Sequence, residues 1–163
     1  MATIDLATLE GAGMAPAADS LNKTYVLEKV VDIAAAVTAK GSALAAADVI
    51  EVLNVPYNSL VLGGTIKVTE ATTGTATDLT IDVGDDGDAD RFVDGFDLDG
   101  ATVGAVSGNG VQIGLVTGEA AQTVDITLAT MTGTLLTGKV LVSVVVADIS
   151  DRGTNVGLTT PGS

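Results

Sequence analysis

The densest chemistry in the chain lies at residues 82–100, DVGDDGDADRFVDGFDLDG. Asp82, Asp85, Asp86, Asp88, Asp90, Asp94, Asp97 and Asp99 fall there, with Arg91 as the only base. Carboxylates this close repel one another unless water, hydrogen bonds or a cation offset the charge. Calcium is the cation such a set would take, because it prefers hard oxygen ligands. With Asp86 as position 1 of a calcium loop, Asp88, Asp90, Asp94 and Asp97 occupy positions 3, 5, 9 and 12. Two positions depart from the pattern. Position 6 needs glycine for a sharp turn and is Arg91; position 12 is Asp rather than the longer Glu that reaches a calcium ion with both oxygens. The same letters also spell a turn, since Asp bonds its own backbone and Gly accepts positive φ. In that reading Phe92 and Phe96 pin the loop onto the domain and Arg91 pairs with a nearby Asp. The turn takes precedence over a calcium site at Asp86, Asp88, Asp90, Asp94 and Asp97.

Other chemistry finds few residues to carry it. The chain has no His and no Cys, which removes the usual general base near neutral pH, thiol nucleophiles and thiolate metal sites. A glycosidase needs two carboxyls across a sugar, but sugar subsites use aromatic platforms, and Tyr25, Tyr57, Phe92 and Phe96 are all the aromatics here. A Ser or Thr nucleophile would have only Lys or a carboxylate as its base. The Gly-rich stretch at 104–114, GAVSGNGVQIG, sits between expected strands rather than before a helix, so it reads as a hairpin through Gly108-Asn109-Gly110 and not as a nucleotide loop. No catalytic residue and no cofactor, calcium apart, is assigned.

Charge narrows the partners. The net charge is −14, with 21 acids against 7 bases. Phosphate binding needs clustered Lys and Arg, so nucleic acid and anionic membranes are not expected partners, whereas a basic protein surface is a suitable one. The start of the sequence lacks the basic and apolar regions of a signal peptide, and no run of about twenty apolar residues is present to cross a membrane as a helix.

The elements that would position these residues are strands. At 24–38, TYVLEKVVDIAAAVT, one alternating face gathers Tyr25, Leu27, Val31, Ile33 and Val37, interrupted by Lys29, which predicts a strand at the start. Residues 34–47 are Ala-rich and broken by Gly41, consistent with a short helix or coil. Strands are expected at 49–55, 59–71 with a bulge or bend at Gly63-Gly64, 76–84, 101–106, 111–116, 123–129 and 140–149. About eight short strands separated by turn residues predict an all-β, jelly-roll-like β-sandwich at 23–150. Residues 1–22 read as an extended N-terminal arm, either loose or ordered on a neighbouring subunit, and 151–163 as a C-terminal tail. A core this poor in aromatics buries little area per side chain. Oligomerisation is one way to compensate.

The stretches GSALAAADVIEVLNVPYNSLVLGGTIKVTEA (41–71), LTIDVGDDGDADRFVDGFDL (79–98) and GKVLVSVVVADIS (138–150) resemble structural proteins of tailed bacteriophages, head decoration or cement proteins among them. The resemblance covers roughly residues 25–150 and rests on β-rich phrasing with an Asp-Gly turn. It implies a β-sandwich or β-tulip that trimerises on the outer capsid surface of a virion assembled in the host cytoplasm. It implies the major capsid protein and further copies of this chain as partners, with neighbouring capsid subunits clamped. Two other roles fit the residues: a tail or fibre component, and a calcium-dependent β adhesion or binding module. A hydrolase using the Asp residues ranks last.

Overall fold

The computed structural model describes residues 3–5, 24–56, 59–108, 114–116 and 122–149, with the backbone alone for 3–5 and 114–116. The described residues form ten strands and one helix: β1 (Thr3–Asp5), β2 (Thr24–Asp32), α1 (Ile33–Lys40), β3 (Val49–Val55), β4 (Ser59–Gly74), β5 (Thr77–Asp85), β6 (Asp88–Asp97), β7 (Val106–Ser107), β8 (Gly114–Val116), β9 (Gln122–Thr132) and β10 (Leu135–Asp148). Two sheets result. The first runs β1-β3-β9-β5-β6; the second runs β2-β10-β4-β7, with β8 also on β4. All pairings are antiparallel except β1 on β3. This is the all-β sandwich that the alternating apolar pattern predicts.

The core lies between the sheets and is built from β-branched and other aliphatic side chains. Val140, Val142, Val144 and Val146 of β10 face inward against Leu27 and Val31 of β2 and Ile66 and Val68 of β4. Leu79, Ile81 and Val83 of β5, with Val124, Ile126 and Leu128 of β9, form the opposing layer. Each such side chain contributes roughly 1.5–3 kcal/mol when fully buried. Phe92 is the only aromatic among the fully buried described residues. Gly64 makes room for it: a Cβ there would sit 3.0 Å from Phe92 Cβ and from Val144 Cγ1. The irregularity expected at Gly63-Gly64 falls just before it: the β4–β10 register slips between Val145 and Val146, which leaves Leu62 unmatched next to Gly63.

The Ala-rich segment resolves into strand then helix. Asp32 ends β2 and caps α1, its Oδ1 accepting from the Ala34 amide at 2.9 Å. Gly41 closes the helix in the left-handed region, φ 74°, with its N–H on the Val37 and Thr38 carbonyls. Lys40 then reaches Asp48, Nζ to Oδ2 2.5 Å, and fixes the return into β3.

Three expectations need correction or adjustment. Residues 88–97 are not part of one long Asp-rich loop: they form β6, the edge strand beside β5. Of the stretch 101–106, only Val106 belongs to a strand. Within the N-terminal arm, Thr3–Asp5 pairs with Val49–Glu51 of this same chain. The rest of the arm, the tail, and the Asn109-Gly110 centre of the expected hairpin lie outside the described residues.

Candidate functional site

The Asp-rich sequence is a hairpin with a two-residue turn. Asp85 pairs with Asp88 across Asp86-Gly87. Asp85 Oδ1 accepts from the Gly87 and Asp88 amides at 2.9 and 3.1 Å, the self-bonding that favours Asp in turns. Arg91 comes back over the hairpin, Nε 2.6 Å from Asp85 Oδ2 and Nη2 3.3 Å from Oδ1. This bond to Asp85 raises the guanidinium further above its ordinary value. Two irregularities shape β6. Asp94-Gly95 bulges opposite Asp82, whose Oδ1 accepts from the Gly95 amide at 2.7 Å, with Gly95 at φ 61°. Residues 89–92 bulge opposite Gly84 alone.

The five calcium candidates are therefore strung along an edge rather than wrapped around a point. Asp86 sits on the turn, Asp88 and Asp90 at the start of β6, Asp94 at its bulge, and Asp97 at its end, where Oδ1 accepts from the Gly100 amide at 3.0 Å. Asp88 and Asp90 meet, and the hydrogen bond between their side chains lifts Asp88 above its ordinary value. Among the described residues no three acidic side chains come together as a metal-ion set. Phe92 and Arg91 take the places the turn reading gave them, one in the core and one on Asp85.

The sharper feature is one residue in β9. Asp125 lies on the outer face of the first sheet, directly opposite Glu51 of β3 on one side and Gly84 of β5 on the other. It lines a pocket of about 270 Å³ with Val49, Glu51, Asp85, Asp86, Ala89 and Thr127. The Asp125 carboxyl is buried, and its Oδ1 has no hydrogen-bond partner. Burial pushes it up to about 6; a bond with the Thr123 side chain opposes the rise, while Asp86, Glu51 and Asp85 add to it. Sequence reading passed over Asp125 because it is one polar letter in TVDITLA, the ordinary outward position of a half-wet strand.

The other sheet presents a different outer face. Val26 and Val30 of β2 pair with Val145 and Leu141 of β10, and Lys67 of β4 pairs with Leu141 and with Val106 of β7. Val26, Val30, Val106 and Val145 are exposed. The apolar pairs Val26–Val145 and Val30–Leu141 are separated on this face by the exposed Glu28 opposite Ser143, so the valines form two small apolar patches that could take part in an interface. Charge here is sparse and mixed, as in the exposed Lys139–Glu70 pair, 2.7 Å apart, whose contact raises Lys139 above its ordinary value.

Among the described residues no helix is long and apolar enough to cross a membrane. No protein-family model matches the chain, and no curated protein does. Its structure is similar to a chain in the capsid asymmetric unit of cyanophage Pam1, with TM-score 0.55 and 22% identity over 86% of this chain and 95% of that one. It is similar also to a chain in the capsid of Ralstonia phage GP4, with TM-score 0.58 and 20% identity over 91% of this chain and 99% of that one. At such identity the likeness is one of fold. Chains from two phage capsids thus share this sandwich architecture over nearly their whole length.

Proposed function

We propose that this chain is a non-enzymatic virion structural protein that decorates a phage capsid and stabilises it by clamping neighbouring major capsid subunits. The observation that carries the reading is the likeness in fold, over 86% and 91% of this chain, to chains from two phage capsids. Two features of the molecule support it. With no His and no Cys, and with Asp82, Asp85 and Asp97 held by backbone amides and an ion pair, little is left to do chemistry. The exposed valines of β2 and β10 suit association of copies, three in the proposed assembly, while the acidic opposite face suits a basic protein surface. Repetition of identical sites over a shell adds avidity, so each contact can be modest.

Electron cryomicroscopy of the virion tests this directly. The expected result is density for the two-sheet sandwich on the outer shell, in contact with more than one capsid subunit. Density for it only in the tail would overturn the decoration role in favour of a tail component.

A further inference from the structure

We infer that the pocket between β3, β9 and the β5–β6 turn is a socket for a basic side chain, above all an arginine, presented by a partner protein.

The argument starts from Asp125. It is 9% exposed, lines the pocket, and has one oxygen with no partner. A buried carboxylate oxygen left unpaired is costly and calls for a donor. Glu51, Asp85 and Asp86 share the pocket with it, brought there by three segments far apart in sequence. Asp85 already holds Arg91; Glu51, Asp86 and Asp125 are the charges an incoming cation would meet.

The size and shape of the site choose among cations. No three acidic side chains among the described residues gather closely enough to ligate a metal ion. A volume of about 270 Å³ far exceeds an ion or a single water, which takes about 30 Å³. Val49, Ala89 and the Thr127 side chain give the wall aliphatic surface, suited to the methylene stem that a long basic side chain buries below its charged head. A guanidinium offers five donors in a planar fork and can bind a carboxylate with two bonds, as Arg91 does on Asp85 within the same hairpin.

The described part of the chain has no base to fill the socket. Lys40, Arg91 and Lys139 are paired with Asp48, Asp85 and Glu70, and Lys29 and Lys67 belong to β2 and β4 of the other sheet. The raised value of Asp125 agrees: burial among like charges opposes ionisation, and a docked cation would reverse that. The socket rests on the function proposed above only for the identity of the partner, a capsid subunit; its chemistry can be tested without one.

The test is a titration of the ¹⁵N-labelled full chain with N-acetyl-arginine amide at pH 7.5 and low salt, followed by amide shifts. The expected result is saturable shifts at Glu51, Asp86, Asp125 and Thr127, with N-acetyl-norleucine amide giving none. Asp125→Asn should weaken binding at least tenfold. Should that variant not fold, Glu51→Gln should weaken it several-fold with the rest of the spectrum unchanged. No shift at these amides overturns the proposal. So does a response to calcium chloride without one to the arginine amide. Binding that emerges only after Lys23→Gln and Arg152→Gln also overturns it, because the chain's own outlying bases would then be the occupants. Virion location is read by a different experiment, so the socket and the capsid role can fail separately.

Discussion

Arg91 locks Asp85 from across the β5–β6 hairpin, with Nε and Nη2 on the two carboxylate oxygens. Asp85 is buried at the rim of the acidic pocket and also holds two turn amides. Removing the guanidinium leaves a buried charge without its counter-ion. Arg91→Met should cost about 2–3 kcal/mol, less than a fully buried pair would lose, because Arg91 is itself half-buried and the turn amides remain. Urea unfolding monitored by far-ultraviolet circular dichroism measures it.

Gly84 and Gly41 should respond very differently to alanine. At Gly84 a Cβ would lie 2.0 Å from the Asp88 carbonyl oxygen and 2.3 Å from the Ala89 carbonyl carbon, both backbone atoms that cannot step aside. Gly84→Ala should cost more than about 4 kcal/mol or abolish folding. At Gly41 nothing stands within 4 Å and only the φ of 74° is unfavourable, so Gly41→Ala should cost about 1 kcal/mol. The same unfolding measurement on both variants separates steric conflict from backbone strain.

Asp125 should make the protein less stable as pH rises. Its carboxyl titrates near 6 in the folded chain against 3.8 as the ordinary value. Between those values the native state binds more protons than the unfolded one, so stability is full below the lower value, falls across the interval, and levels off above the upper one. Glu51, Asp85 and Asp86 face Asp125 and push in the same direction. Asp125→Asn should remove this slope and be more stable than the parent at pH 7.5 by roughly 1–2 kcal/mol. Melting temperatures of parent and variant from pH 4 to 8 give the difference. A widening gap towards low pH would contradict the assignment.

The apolar sheet face makes a prediction about association. Val26 and Val145 are paired and exposed, so Val26→Glu with Val145→Glu places two like charges side by side where copies would meet. Under the trimeric assembly proposed above, the change should shift sedimentation from trimer to monomer. Exposed positions tolerate substitution within about 0.5 kcal/mol as a rule, though like charges directly opposite add a further cost. An unchanged trimer would exclude this face as the interface.

The sandwich was legible because Val, Ile and Leu alternate with polar residues in β5 and β9, and because the valine-rich run of β10 has the length and β-branching of a strand. The capping of α1 was half legible: Gly41 marked its end, but Asp32 read as a strand residue because its capping role depends on where the chain turns. β6 was hidden by its composition. Asp88, Asp90, Asp94, Asp97 and Gly95 all disfavour strands, and the two bulges break the alternation that would have exposed Phe92, Val93 and Phe96 as its inward set. An edge position with one wet side makes such a sequence tolerable. The pocket was illegible for another reason. Glu51, Asp86 and Asp125 are separated by long stretches of sequence, and only the β3–β9–β5 strand order sets them side by side.

That order also gives the molecule two unlike outsides, one over β2 and β10 studded with exposed valines and one beside β3, β9 and β5 that is acidic. Attraction between copies through a single greasy side stops once those sides are covered, whereas a tile adhesive on both sides would stack without limit. With a net charge of −14 on each copy, finished clusters repel one another. Under the association proposed above, the asymmetry sets a ceiling on growth: the free protein should remain a small closed cluster at high concentration, with any further ordering imposed by a template.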